Sequence, residues 1–225
     1  MCGRYTLAKP IQTLKSHFSP VHIYLEYFPN YNIAPGQISP IVTNRSNQLE
    51  MLEMKWGLIP SWSKDEKISR NLINARSETI HEKPSFRNSF KSQRCLIPAD
   101  SFIEWKGKEK QPYCIRMKSQ GLFAFAGLWS TWDSGDSSMN TFIIITTEAN
   151  AKLSPLHSRM PVILHPENYT AWLSPASALE SLTSFFSPYP DNELEYFEIS
   201  KDTNSTRNNR PNLLQPAGQT SITFS

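Results

Sequence analysis

RCLIPADSFIEWKGKEKQPYCIRMKSQGLFAFAGLW, residues 94–129, decides the fold. Four apolar runs (RCLIP, SFIEWK, PYCIRM and LFAFAGLW) follow one another, each bounded by turn residues. Short runs rich in Phe, Ile, Tyr and Trp between such residues are strand signals. A fifth, FIIITTE (142–148), continues the series. No helix-length pattern lies between them, so the βαβ alternation of a parallel sheet is excluded.

Upstream, SPIVTNR (39–45) and EMLEMKW (50–56) read as a strand pair around polar SNQ. Gly3 to Leu7 alternates as a short strand. Pro10 then opens an amphipathic helix with Ile11, Leu14 and Phe18 on one side. YFPNYNIAPGQ (27–37) is turn-rich, with a tight turn at Pro35-Gly36. HEKPSFRNSFKSQ (81–93) is expected to be helical after Pro84, and AKLSPLHS (151–158) to form a helical turn before the strand MPVIL (160–164). HPENYTAWL (165–173) and ASALESLTSFF (176–186) are helix candidates; LEYFEIS (194–200) is a last strand, and the tail after it is polar and irregular. The expectation is α+β: a single domain over residues 1–225 with a curved, barrel-like, mainly antiparallel sheet and peripheral helices.

Hydrophobic residues at 39% and aromatics at 12% supply a real core. No apolar run reaches the roughly 18 residues that span a bilayer, and the N-terminus lacks a signal-peptide core. A cytoplasmic protein is expected. Three cysteines without CxxC or ligand-like histidine spacing argue against a disulfide framework and a structural metal. Cys95 and Cys114 lie in strand-like runs and read as buried thiols. Residues 55–118 hold 14 Lys or Arg against 7 Asp or Glu, and residues 119–225 hold 5 against 10. A basic central segment suits an anionic partner on one face, and equally a solvated surface.

Cys2 stands apart by position. Removal of Met1 leaves an amine and a thiol on adjacent carbons, and that aminothiol condenses with an aldehyde to a five-membered thiazolidine. Reference pKa values of about 8 for the amine and 8.5 for the thiol keep both within reach of neutral pH. In Asn74-Ala75-Arg76, an amide that donates and accepts stands near a phosphate-shaped guanidinium. Glu104 lies between Ile103 and Trp105, where burial raises a carboxylate's pKa toward proton transfer. His157 is the histidine with an arginine two residues on, in a proline-defined loop. Trp56 reads as core and Trp62 as an exposed ring on which an unstacked base can rest.

In order, Cys2-Gly3-Arg4, YNIAPGQ (31–37), WGLIPSW (56–62), NARSET (74–79), RCLIPADSFIEW (94–105), FAGLW (125–129) and LHSRMPVIL (156–164) closely resemble the SRAP family of abasic-site processing proteins, bacterial type. The resemblance implies a basic groove for single-stranded DNA and a thiazolidine between Cys2 and the open sugar of an abasic site, without metal, cofactor or membrane. It implies a nucleoid-associated protein, a lyase activity as a companion, and reversal of the ring. By motif it makes Cys2 the nucleophile, with Asn74 orienting the amine or sugar. Glu104 then shuttles protons, and His157 assists as an acid or holds the lesion. Arg4, Arg76 and Arg159 grip phosphates, Thr146 contacts the lesion and Trp62 stacks or wedges.

Two departures stand out. Ser101 replaces a glycine frequent after the PAD turn, which implies strain if that position needs a positive φ. The loop after Trp62 lacks a second adjacent tryptophan. Two alternatives stay open: a cysteine peptidase using Cys2, Glu104 and His157, of a kind able to remove its own leading residue, and a non-covalent single-strand binder.

Overall fold

The computed structural model of the chain describes residues 2–45, 47–135 and 137–218. The first strands are β1 (Tyr5–Leu7), β2 (His22–Ile23), β3 (Asn30–Ile33), β4 (Ile38–Arg45), β5 (Gln48–Trp56), β6 (Asn74–Arg76) and β7 (Arg94–Ala99). After them come β8 (Ser101–Lys106), β9 (Gln111–Met117), β10 (Phe123–Asp133), β11 (Ser138–Glu148), β12 (Arg159–Pro161), β13 (Ile163–Leu164) and β14 (Leu194–Glu198). The helices α1 (Ile11–His17), α2 (Arg87–Ser92), α3 (Tyr169–Leu173) and α4 (Leu179–Leu182) are short.

β4 and β5 form the expected antiparallel hairpin, and β4 continues through β7 and β10 to β11. The ring closes where β11 returns to β5 in parallel, Thr141 opposite Lys55 and Phe142 opposite Trp56. This five-stranded closed sheet, inside an α+β fold, is the barrel the strand series predicted, and closure leaves these strands no edge to protect. Gly127 is required in its wall. A Cβ there would stand 2.5 Å from Ile97 Cδ1 and 2.9 Å from Cys95 Sγ.

A second antiparallel sheet runs β14-β9-β8-β1-β3, with Tyr5 facing Phe102 on β8 and Ile33 on β3. Tyr5 joins the two sheets. Its ring centroid lies 5.2 Å from that of Trp56 and 5.8 Å from that of Phe125, inside the barrel. Trp56 is buried, as the core reading had it, and Cys95 and Cys114 are buried free thiols.

The peripheral helices exist but are shorter than the sequence pattern suggested. Arg94, buried at the start of β7, closes two of them. Its guanidinium donates to the carbonyl oxygens of Phe90 and Lys91 in α2, and to those of Trp172 and Ser174 at the end of α3. Terminal helix carbonyls have no partner of their own, so one cation satisfies both ends. No helix among the described residues is long and apolar enough to cross a membrane.

Candidate active site

The site forms where the chain's first residues pass between the two sheets. Cys2 precedes β1 and is fully buried. The Ile103 N–H donates to the Arg4 carbonyl at 2.9 Å, which holds the N-terminal segment alongside β8 and brings Glu104 to its flank. From the barrel side, β6 lies parallel to β11 with Asn74 opposite Ile144. Asn74 Nδ2 then donates to the Cys2 carbonyl oxygen at 2.8 Å. Asn74 Oδ1 is buried without a hydrogen-bond partner among the described residues.

Burial keeps the Cys2 thiol protonated, and the charge of Glu104 adds to the effect. Glu104 is itself buried, which pushes its carboxyl above the usual range while the chain's N-terminal charge pulls the other way. A carboxyl in this setting carries a proton at higher pH than an exposed one, and so can donate it. His157 is half-buried in the turn before β12. Its Nδ1 accepts the Arg159 N–H at 2.9 Å, so the neutral ring carries its proton on Nε2. Burial, followed by the N-terminal charge, lowers its pKa below 6.5, which leaves it neutral at pH 7.

The structure thus ties Asn74 to Cys2 by a hydrogen bond and sets the charge of Glu104 to act on the Cys2 thiol, while Glu104 and His157 both feel the N-terminal charge. The residues expected to hold DNA divide. Trp62 is 57% exposed, and Trp132 braces its loop by donating an indole N–H to the Ser63 carbonyl at 2.7 Å. Arg76 is exposed on β6, two residues past Asn74. Arg159 reaches the same region, its guanidinium bonded to Glu78 and to the Thr146 carbonyl.

Two residues expected at the DNA surface lie in the interior. Arg4 is buried, and its Nη1 donates to Asn32 Oδ1 at 2.6 Å and to the Thr203 carbonyl at 3.0 Å. Asn32 Nδ2 lies within bonding distance of three carbonyls of residues 203–208, so the Arg4–Asn32 pair clamps the C-terminal segment. Thr146 is also fully buried. Its hydroxyl donates to the Ala75 carbonyl at 3.3 Å, which ties β6, the strand that carries Asn74, to β11. The strain at Ser101 is absent as well, because Ser101 is not among the residues with positive φ. Its hydroxyl pairs with that of Thr6 on β1 at 2.5 Å.

Sequence reading missed Glu78, although it lies inside the NARSET block, and also missed a cavity of about 600 Å³. That cavity is lined by Pro35, Gly36, Lys55, Trp56, Glu66, Lys67, Ser69 and Arg70, with Lys55 paired to Glu66 at 2.7 Å. Cys2 does not line it, yet the two are connected. Trp56 Nε1 donates to the Ile73 carbonyl at 2.9 Å, and Asn74 is the next residue. Gly57 makes the turn out of β5 at φ +126°, where a Cβ would meet the Ser69 carbonyl oxygen at 2.8 Å. Among the described residues no cluster of three or more His, Cys, Asp or Glu is arranged to hold a metal ion.

Comparison with known proteins places the chain in a family. Residues 1–206 match the family model described as SOS response associated peptidase (SRAP). Abasic site processing protein YoqW of Bacillus subtilis is 43% identical over 223 residues, covering 96% of this chain and 99% of that one. Abasic site processing protein YoaM of the same organism is 42% identical over 221 residues, covering 95% and 97%. Mouse abasic site processing protein HMCES is 32% identical, covering 85% of this chain and 66% of that one. A crystal structure of a Bacteroides thetaiotaomicron protein superposes with a TM-score of 0.84 at 29% identity, over 96% of this chain and all of the other. A phage-related protein of Bordetella bronchiseptica gives 0.71 at 26% identity, over 89% and 95%. The chain belongs to the SOS response associated peptidase (SRAP) family.

Proposed function

We propose that this protein processes abasic sites in single-stranded DNA by capturing the open-chain sugar aldehyde at Cys2 once Met1 has been removed. The observation that carries the reading is the hydrogen bond from Asn74 to the Cys2 carbonyl beside the buried Glu104 carboxyl. It fixes the backbone of the one residue able to present both an amine and a thiol, next to an acid with a raised pKa.

In the proposed sequence the Cys2 amine adds to the aldehyde carbon, giving a carbinolamine. Protonated Glu104 gives its proton to the departing hydroxyl, and water leaves as the protonated imine forms, its nitrogen keeping one hydrogen. The Glu104 carboxylate, now charged, takes the proton of the buried thiol as sulfur adds to the imine carbon. That proton restores the Glu104 acid, and the ring nitrogen keeps the hydrogen it carried. The products are a thiazolidine and one water, with no oxidation or reduction. Neutral His157 serves as a donor through Nε2 to the sugar hydroxyl or phosphate. The imine also admits β-elimination, which is the route to strand cleavage. The exposed Trp62 and Arg76, and the lysines and arginine around the 600 Å³ cavity, supply a surface for a flanking strand.

The test is to incubate the purified protein with a single-stranded oligonucleotide bearing one abasic site and to look for an adduct that survives denaturation. Intact mass establishes that Met1 is gone. An adduct one water lighter than the sum of its parts, absent with Cys2→Ala, is the expected result. No adduct from protein lacking Met1, or an unchanged adduct from Cys2→Ala, rejects the reading.

A further inference from the structure

Arg159 already holds an anion. Its Nη1 and Nη2 donate to Oε1 and Oε2 of Glu78 at 2.5 and 2.9 Å, and Nη2 donates again to the Thr146 carbonyl at 2.6 Å. The two-pronged edge of the guanidinium, the edge that fits a phosphate, is therefore occupied by a carboxylate of the same chain. The pair is unequal. The arginine side chain is 14% exposed and anchored, whereas the glutamate is 47% exposed in the middle of a three-residue turn. The arginine is the fixed member and Glu78 the one that can leave. Arg76, whose charge also acts on Glu78, offers the departing carboxylate a second partner.

We propose that Glu78 is a displaceable stand-in for a backbone phosphate of single-stranded DNA at Arg159, holding the guanidinium in its receiving orientation until the strand replaces it. The inference rests on the proposed function only for the identity of the ligand. It gives phosphate binding a direct line to the chemistry, because the Arg159 N–H that fixes His157 belongs to the residue whose side chain exchanges partners. A net charge of +1 over Arg76, Glu78 and Arg159 also limits how tightly undamaged strands are held.

The test uses an undamaged single-stranded oligonucleotide, so that no adduct can form. Glu78→Gln is expected to bind it about fivefold more tightly at low salt, since an exposed ion pair is worth at most about 1 kcal/mol. The gain should shrink as ionic strength rises, and it should vanish in the Arg159→Ala background. Unchanged or weaker binding by Glu78→Gln, or a gain that persists without Arg159, overturns the proposal. A second measurement needs no variant. The Arg159 guanidinium resonances of the wild-type protein should move on adding the oligonucleotide; resonances that stay still, or that respond to inorganic phosphate at lower concentration, overturn it too. Failure of aldehyde capture would appear in the adduct assay and leave these readouts intact.

Discussion

Asn74 and Cys2, 72 residues apart in sequence, are joined by a 2.8 Å hydrogen bond from a side-chain amide to a backbone carbonyl. The bond ties the N-terminal segment to the barrel through β6, and it spends only the donor half of the amide. The acceptor half, Oδ1, is left buried without a partner among the described residues. A buried acceptor in that state costs stability unless something donates to it. The Cys2 amine, or a hydroxyl of the bound sugar, is the donor this geometry can receive.

Replacing Asn74 with Ala should therefore cost little fold and much chemistry. Losing one hydrogen bond while removing an unpaired acceptor is worth about 1 kcal/mol or less in stability. Adduct formation should fall by at least about tenfold, the rate equivalent of 1.4 kcal/mol, because the nucleophile is no longer held. Single-turnover crosslinking and thermal melting check the two halves. A variant that melts far below wild type and reacts at the wild-type rate once folded would show the bond to be structural.

Glu104 should leave a signature in stability as well as in rate. Its pKa is raised in the folded protein, so folding favours the protonated form. Stability from this group is complete below the ordinary carboxylate range and is lost as pH rises through the raised value. Glu104→Gln removes that dependence. The variant should gain on wild type as pH climbs, with the difference levelling off above the folded pKa. Denaturant melts from pH 4 to pH 8 measure it. A constant difference across the range would mean that Glu104 is not buried as a neutral acid. The same variant should slow crosslinking more than it weakens strand binding.

His157 carries the opposite sign. Burial lowers its pKa, so the neutral ring is the favoured folded form, and its contribution is present above about pH 6.5 and lost as pH falls through the folded value. Nitrogen-resolved NMR should find a titration midpoint below 6.5 and, above it, the tautomer with the proton on Nε2. Crosslinking that relies on this donor should hold steady from pH 7 upward with respect to His157 and change as the ring charges. A midpoint above 6.5 would contradict the buried, Nδ1-accepting arrangement.

Much of this was legible in sequence because it was local. Short strands between turn residues in 94–129 announced the sheet, and Cys2 was conspicuous by position. What stayed hidden was direction across strands buried on both faces. β1 is buried at all three of its residues, and β11 from Thr141 to Thr147, so no alternation survives to tell an inward side chain from an outward one. The burial of Arg4, just before β1, and of Thr146, inside β11, was hidden for that reason. The parallel closure of β11 on β5 and the pairing of Glu78 with Arg159, 81 residues apart, depend on contacts that no local pattern encodes.

The interior position of Arg4 makes the last prediction. If its work is to clamp Asn32 and the segment around Thr203, Arg4→Ala should lower stability by about 2 kcal/mol, the scale of buried hydrogen bonds from a charged donor. Protease cleavage after Ser200 should become easier, because the carbonyls that Arg4 and Asn32 hold would be released. Strand affinity, measured on folded protein, should change by less than about twofold, whereas loss of a phosphate contact worth about 1.4 kcal/mol would weaken binding about tenfold and flatten its salt dependence. The two outcomes separate cleanly: a stable Arg4→Ala protein with weakened, less salt-sensitive binding would return Arg4 to the DNA surface, and an unstable one with normal binding keeps it as the clamp beneath Cys2.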